Sequence, residues 1–144
     1  MKKIIPKDGG FEQKTKSRFR VEFPENFHIP AYTVKKASKP IMINGEWGFI
    51  SITLHDPVKG STSVAVYDLW KSVGKRKIDG TDEVFKYNII SLGPTGDVIE
   101  DWEITISDII NIGFGELDCT NDESLEVHVV FKPSDCILNK FKED

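Results

Sequence analysis

The stretch FKYNIISLGPTGDVIEDWEITIS, residues 85–107, decides the reading of the chain. Phe85, Tyr87 and Ile89 alternate with Lys86 and Asn88; Trp102, Ile104 and Ile106 alternate with Glu103, Thr105 and Ser107. A period of two is the mark of a strand with one face on a core and one in water. Between the two runs lies Gly93-Pro94-Thr95-Gly96-Asp97, a cluster of turn formers. The segment therefore reads as an antiparallel hairpin, with Trp102 on its buried face.

The same pattern recurs outward from this hairpin. Phe19, Val21 and Phe23 alternate with Arg18, Arg20 and Glu22 and are stopped by Pro24. Phe27 to Lys36 reads as an irregular strand interrupted by Pro30. Trp47 to Leu54 is rich in aromatic and β-branched residues, follows the tight-turn pair Asn44-Gly45, and ends at His55-Asp56-Pro57. After the break at Gly113-Phe114-Gly115, Leu125, Val127, Val129 and Phe131 alternate with Glu126, His128 and Val130 in a last strand, expected to end at Pro133.

One segment has helical rather than strand period. Val66, Leu69, Trp70 and Val73 stand at i, i+3, i+4 and i+7, so they should pack one face of a helix over residues 62–73. Ser61, Thr62 or Ser63 can cap it, and Gly74 suits its end. Lys75, Arg76 and Lys77 then open a charged, exposed loop reaching Asp82. Five or six strands with one helix inserted among them predict an α+β, mainly β domain: a small antiparallel barrel or sandwich with one packed helix.

The 144 residues fit one domain, and 39% apolar residues supply a core. The expected division is a flexible basic arm over 1–17, a domain over 18–138 and a C-terminal tail over 139–144. No apolar run approaches the ~20 residues that cross a bilayer, and the apolar stretch after Lys2 and Lys3 is too short for a secretory signal. This predicts assembly in a cytoplasm, without membrane insertion and with Cys119 and Cys136 as free thiols. The net charge is −4, unevenly spread. Residues 1–20 hold seven basic and two acidic side chains; residues 97–135 hold eleven acidic ones and only Lys132. Such asymmetry lets unlike ends of neighbouring molecules attract, although two independently solvated faces would show it too.

Catalytic chemistry is poorly represented. His28, His55 and His128 are far apart and in no metal-ligand spacing. His55-Asp56 with Ser61 and Ser63 is the best hydrolytic set, but it lacks a nucleophile-elbow pattern. Lys59-Gly60-Ser61-Thr62 has the wrong order for a phosphate loop and is better read as a helix start. Asp97, Glu100, Asp101 and Glu103 lack the spacing of a calcium loop. The expectation is no enzyme, no metal and no cofactor.

The hairpin, the acidic Gly115-Glu116-Leu117-Asp118 leading into Glu126-Val127-His128-Val129-Val130-Phe131, the helix with Asp68-Leu69-Trp70 and the opening Arg18–Phe23 strand occur in one order over residues 18–138. In that order they resemble the tail tube family of T4-like phages and contractile injection systems. Where that family often places Trp-Pro after the second hairpin strand, this chain has Ile109-Ile110-Asn111-Ile112.

The resemblance implies a structural subunit of a contractile tail tube. Six copies would close into a ring, and rings would stack within a sheath on a baseplate, around a channel for double-stranded DNA in a virion tail. It implies Glu103, Thr105, Ser107, Glu126 and His128 as lumen-lining residues, and Lys75, Arg76 and Lys77 as ring-to-ring contacts. A baseplate or tube-initiating subunit of the same fold, a monomeric β-barrel binding module, and a small hydrolase using His55 and Asp56 are the alternatives.

Overall fold

A computed structural model describes residues 14–80 and 83–139. Six strands form one antiparallel sheet in the order β1-β6-β7-β8-β5-β2. They are β1 (Phe19–Glu22), β2 (Val34–Ala37), β5 (Ile50–His55), β6 (Phe85–Leu92), β7 (Val98–Gly113) and β8 (Glu126–Asn139). The sheet curls into a nearly closed barrel, left open between β1 and β2, which share no ladder. A separate two-stranded hairpin joins β3 (Met42–Ile43) to β4 (Glu46–Trp47), and a single helix, α1 (Thr62–Asp79), packs on the barrel. The predicted α+β small barrel with one helix is the fold observed.

The hairpin of residues 85–107 forms as its period requires, from Phe85↔Ile106 to Leu92↔Val98, with Gly96 at φ +84° in its turn. Both β7 and β8 run further than their sequence pattern suggested. β7 continues through Ile109-Ile110-Asn111-Ile112 to Gly113, and β8 passes Pro133 to Asn139. Proline is tolerated because it sits at a shift of register, where Ile106↔Pro133 is followed by Thr105↔Asp135. Asn139, expected in a tail, is the last residue of β8; residues 140–144 and the first thirteen of the expected basic arm lie outside the described residues.

Two further differences have local causes. The Trp47–Leu54 run divides: Asn44 (φ +52°) and Gly45 (φ +81°) make a turn with two left-handed residues, which consumes Trp47 as its closing strand, and β5 starts only at Ile50. Between β1 and β2, the expected irregular strand becomes two short 3-10 turns, Glu25–Phe27 and Ala31–Thr33, before β2. Pro24 and Pro30 precede them and start each turn.

The core lies inside the barrel and under α1. Val21, Ile50, Ile52, Leu54, Tyr87, Ile104, Ile106, Val127 and Val129 fill it. Rings of Phe85, Phe27, Phe23, Tyr87 and Phe131 run through it at centroid spacings of 5.6–6.2 Å. Val66, Leu69 and Val73 bury the inner stripe of α1. Trp70, expected on that stripe, lies at its flank and is 46% exposed. The apolar arc of α1 is wider than one contact face, and the core takes the smaller residues.

Gly74 does not end the helix, which continues one and a half turns to Gly80 in the left-handed conformation, whose N–H reaches the Arg76 carbonyl. Lys75, Arg76 and Lys77 are thus helical, not a loop. Cys119 is exposed and Cys136 buried, and both are free; burial pushes the Cys136 thiol up to about 11.

The Tyr87 hydroxyl is fully enclosed and has no hydrogen-bond partner among the described residues. A buried hydroxyl without a partner costs the desolvation of that group. Tyr87→Phe is therefore expected to stabilise the chain by about 0.5–1 kcal/mol, a rise of ~2–4 °C in thermal midpoint. A lower midpoint by scanning calorimetry would show that the hydroxyl is satisfied.

Candidate functional site: a staggered strand pair with free half-edges

β7 and β8 are the longest strands, and they pair with each other from Asp101↔Asn139 to Gly113↔His128. Their outer neighbours are shorter and lie at opposite ends. β6 covers β7 only up to Ile106, so among the described residues 107–113 has no strand on that side. β5 covers β8 only from Glu126 to Phe131, which leaves 132–139 without a ladder partner on the other side among the described residues, with β4 packed near β8. Each chain therefore presents two half-edges on opposite flanks of one ladder. Ile110 on the first and Ile137 and Leu138 on the second are exposed. Exposed apolar residues on an unpaired edge invite strand pairing with another chain.

Arg76 closes the start of the β7 half-edge from within. Its guanidinium donates to the Ile106 and Ser107 carbonyls and stacks 5.2 Å over the Phe85 ring. The expectation that Arg76 reaches outward is thereby corrected: it ties α1 to β7. Lys75 is exposed on α1, and the Lys77 side chain lies outside what is described.

The five residues expected to share a lining fall mostly on one surface. Glu103 and Thr105 project from the side of β7 opposite Ile104 and Ile106, facing Lys86 of β6 and Asp135 of β8. Glu126 and His128 occupy the matching side of β8, opposite Val127 and Val129. Glu103 pairs with Lys86 at 3.4 Å, Glu126 with Lys35, and the His128 ring nitrogen Nδ1 lies 3.0 Å from the Thr53 hydroxyl. The Lys35 ammonium holds the Glu126 carboxyl below its ordinary range. Ser107 departs from the group: it stands at the register shift between Ile106 and Asp108, skipped by the ladder, and contributes its carbonyl to Arg76.

The acidic run Asp97, Glu100, Asp101, Glu103 is split by strand alternation. Asp97 stays in the turn with Thr95; Asp101 receives Asn88 on the outer surface. Glu100 turns inward, only 8% exposed, and binds Lys14, Lys39 and the Trp102 indole N–H (3.0 Å). Trp102 is half-buried rather than enclosed, because its indole reaches this carboxylate and packs edge-on against Trp47 at 6.1 Å. Sequence reasoning missed Glu100; the signal was its in-phase position with Trp102 and Ile104 on an inward face.

His55 and Asp56 do not form a hydrolytic pair. The Asp56 carboxylate accepts from the Thr62 amide (2.9 Å), the Ser63 amide (3.3 Å) and the Ser63 hydroxyl (2.6 Å), and the Ser61 side chain caps Val64 N–H. Its burial acts to raise the pKa, but these donors outweigh it and hold the group below its usual value. These residues start α1, as carboxylates and serines at a helix N-terminus do. Among the described residues no cluster of three His, Cys, Asp or Glu side chains could hold a metal ion, and no helix is long and apolar enough to cross a membrane.

No family model and no curated protein matches the sequence. Solved structures do match in shape. A chain of the anti-feeding prophage cap, its tube-terminating cap, is 13% identical with a TM-score of 0.62, over 91% of this chain and 93% of that one. A chain of the anti-feeding prophage baseplate is 14% identical with a TM-score of 0.57, over 90% and 97%. A chain of the sheath–tube complex of an extracellular contractile injection system, PVC, in its extended state, is 14% identical with a TM-score of 0.56, over 90% and 93%. At such identities the likeness establishes a shared fold.

Glu100 yields a pH-dependent prediction. Burial acts to raise its pKa, but the hydrogen bonds and charges of Lys14 and Lys39 outweigh it, so the folded value lies below the ordinary one. Its stabilisation is then complete above the unfolded pKa and is lost as pH falls through the folded one. Glu100→Gln is expected to cost about 1–3 kcal/mol near neutrality. The gap between the two denaturation midpoints should narrow as pH falls through the lowered folded value; a constant gap would show that the carboxylate charge is not what binds the two lysines.

Proposed function

We propose that this chain is a non-enzymatic structural subunit of the tube of a contractile tail, closing with five copies into a ring around a channel. The observation that carries the reading is the stagger of β7 against β8. One half-edge is offered on each flank, so the half-edge of one copy can accept the unlike half-edge of the next. A contact between unlike surfaces repeats head to tail and closes into a ring when its rotation allows. Closure would bury Ile110, Ile137 and Leu138 and turn six separate barrels into one continuous inner sheet. The likeness to chains of tube, cap and baseplate supports this role.

In such a ring the surface carrying Glu103, Thr105, Glu126 and His128 would line the channel. Its carboxylates would repel phosphates, so double-stranded DNA would pass without adhering. Outer surfaces would meet the sheath, and the ring would belong to a virion tail. Likeness to the cap and baseplate chains supports a second reading, a subunit that starts or ends the tube. Stacking separates the two readings: a main tube subunit makes long tubes alone, whereas an initiating or terminating subunit makes single rings.

Negative-stain microscopy of the purified chain should show hollow six-membered rings. Ile110→Lys and Leu138→Lys should each leave a folded monomer that forms none, since charge at a strand edge blocks pairing. Rings formed by both variants would remove the half-edges from the assembly. Glu103→Lys combined with Glu126→Lys should make rings that retain double-stranded DNA in a filter assay; equal passage through both forms would sink the lining.

A further inference from the structure

The exposed side of α1 is itself a built surface. Tyr67, Trp70, Gly74 and Ile78 follow one another at helical spacing on the side of α1 flanking the buried stripe, and the three side chains are exposed. Trp70, Lys71, Ser72, Gly74, Lys75 and Ile78 enclose a notch of about 520 Å³. Gly74 makes its floor, with nothing within 4 Å of where a Cβ would stand. Its rim is cationic: Lys71 lies over the Tyr67 ring at 5.6 Å, Lys75 is exposed, and no carboxylate pairs with either among the described residues. Trp and Tyr beside a recess open to solvent are the side chains that anchor interfaces.

The same chain carries a matching projection. Between β7 and β8, residues 114–125 contain Glu116, Asp118, Asp122 and Glu123 and no basic side chain. Leu117 is 86% exposed between Glu116 and Asp118. The turn behind it is fixed: Asp118 Oδ1 accepts from the Thr120 amide (3.0 Å) and hydroxyl (2.7 Å), and the Asp118 carbonyl accepts from the Asn121 amide (3.1 Å). These donors lower the Asp118 pKa and keep it charged. In a single copy Leu117 and the notch each remain open to solvent.

We propose that the notch on α1 receives Leu117 of a second copy, with Glu116 and Asp118 facing Lys71 and Lys75. An apolar knob between two carboxylates meets an apolar recess between two ammonium groups, so shape and charge select the same partner. The basic groove across the β1–β2 opening already has part of its charge neutralised within the chain. Its Lys14 and Lys39 are engaged by Glu100 and its Lys35 by Glu126. One leucine buries far less than a stable dimer needs, so the contact acts through repetition in an assembly. This rests on the ring reading for its context, because only many identical contacts make it significant.

Two measurements on the full chain test it. In a Cys119→Ser background, chains carrying Gly74→Cys are mixed with chains carrying Leu117→Cys under mild oxidation. Disulfide-linked pairs between the two should form at least about tenfold faster than with Val58→Cys, an exposed control, as local effective concentration dictates. Lys71→Glu with Lys75→Glu should raise the concentration needed for assembly about tenfold. Adding Glu116→Lys, which leaves the Asp118 turn intact, should restore much of it, with thermal midpoints unchanged throughout.

Rings that assemble normally with the reversed lysines, or cross-linking no faster than the control, would overturn the contact while leaving the ring intact. Specific cross-linking without any ring would support the contact and remove the ring.

Discussion

The long antiparallel ladder between β7 and β8 is the constraint from which the rest of the molecule follows. It sets thirteen residues of β7 against twelve of β8, from Asp101↔Asn139 to Gly113↔His128, through register shifts at Thr105/Ile106, Ile106/Asp108 and Ile109/Asn111. Those shifts let two strands longer than the barrel is tall stay paired while the sheet curls, since each adds local bend and twist. β6 and β5 then attach to opposite halves of the pair, and β1 and β2 attach to them. The core fills the concave side, α1 packs against the barrel, and Arg76 binds the Ile106 and Ser107 carbonyls where the β6 ladder ends.

This arrangement separates core burial from surface chemistry. Apolar burial concentrates on one face of every strand and on the inner stripe of α1, where Val66, Leu69 and Val73 meet the barrel. The polar residues of the other face are partly neutralised within the chain, Glu103 by Lys86 and Glu126 by Lys35. Ion pairs of this exposed kind add little to stability. They set instead the charge that the surface shows to whatever approaches it. Among the exposed apolar residues, Ile110 and Leu138 on the half-edges and Trp70 and Ile78 on α1 remain available for contact.

Much of the fold was legible because strand period is a strong signal. The 85–107 hairpin, β1 and the first half of β8 follow directly from alternation, and Ser61–Ser63 from helix-capping chemistry. Extension of β7 and β8 was not legible. Ile109-Ile110-Asn111-Ile112 breaks alternation because the ladder shifts register there, and Pro133 signals an end unless a partner strand is known to shift beside it. Gly74 suits a helix end, but its cost inside a helix is only ~1 kcal/mol, less than the packing of Val73 and Arg76 returns, so α1 runs on to Asp79. Trp70 followed the apolar spacing of the buried stripe but lies outside its arc, a distinction of one helical position that a sequence does not resolve. The polar face was legible at Glu103, Thr105, Glu126 and His128, whereas Ser107 required the register shift and Glu100 the pairing with lysines distant in sequence.

The hold of Glu100 on Lys14 and Lys39 has one more consequence. It fixes the incoming chain at the end of the barrel where the β6–β7 turn lies, whereas residues 114–125 leave β7 at the other end. The subunit has two chemically unlike poles. A filament of such subunits would be directional, with a growing tip that differs from its finished tip, and a molecule that recognises one tip would be blind to the other.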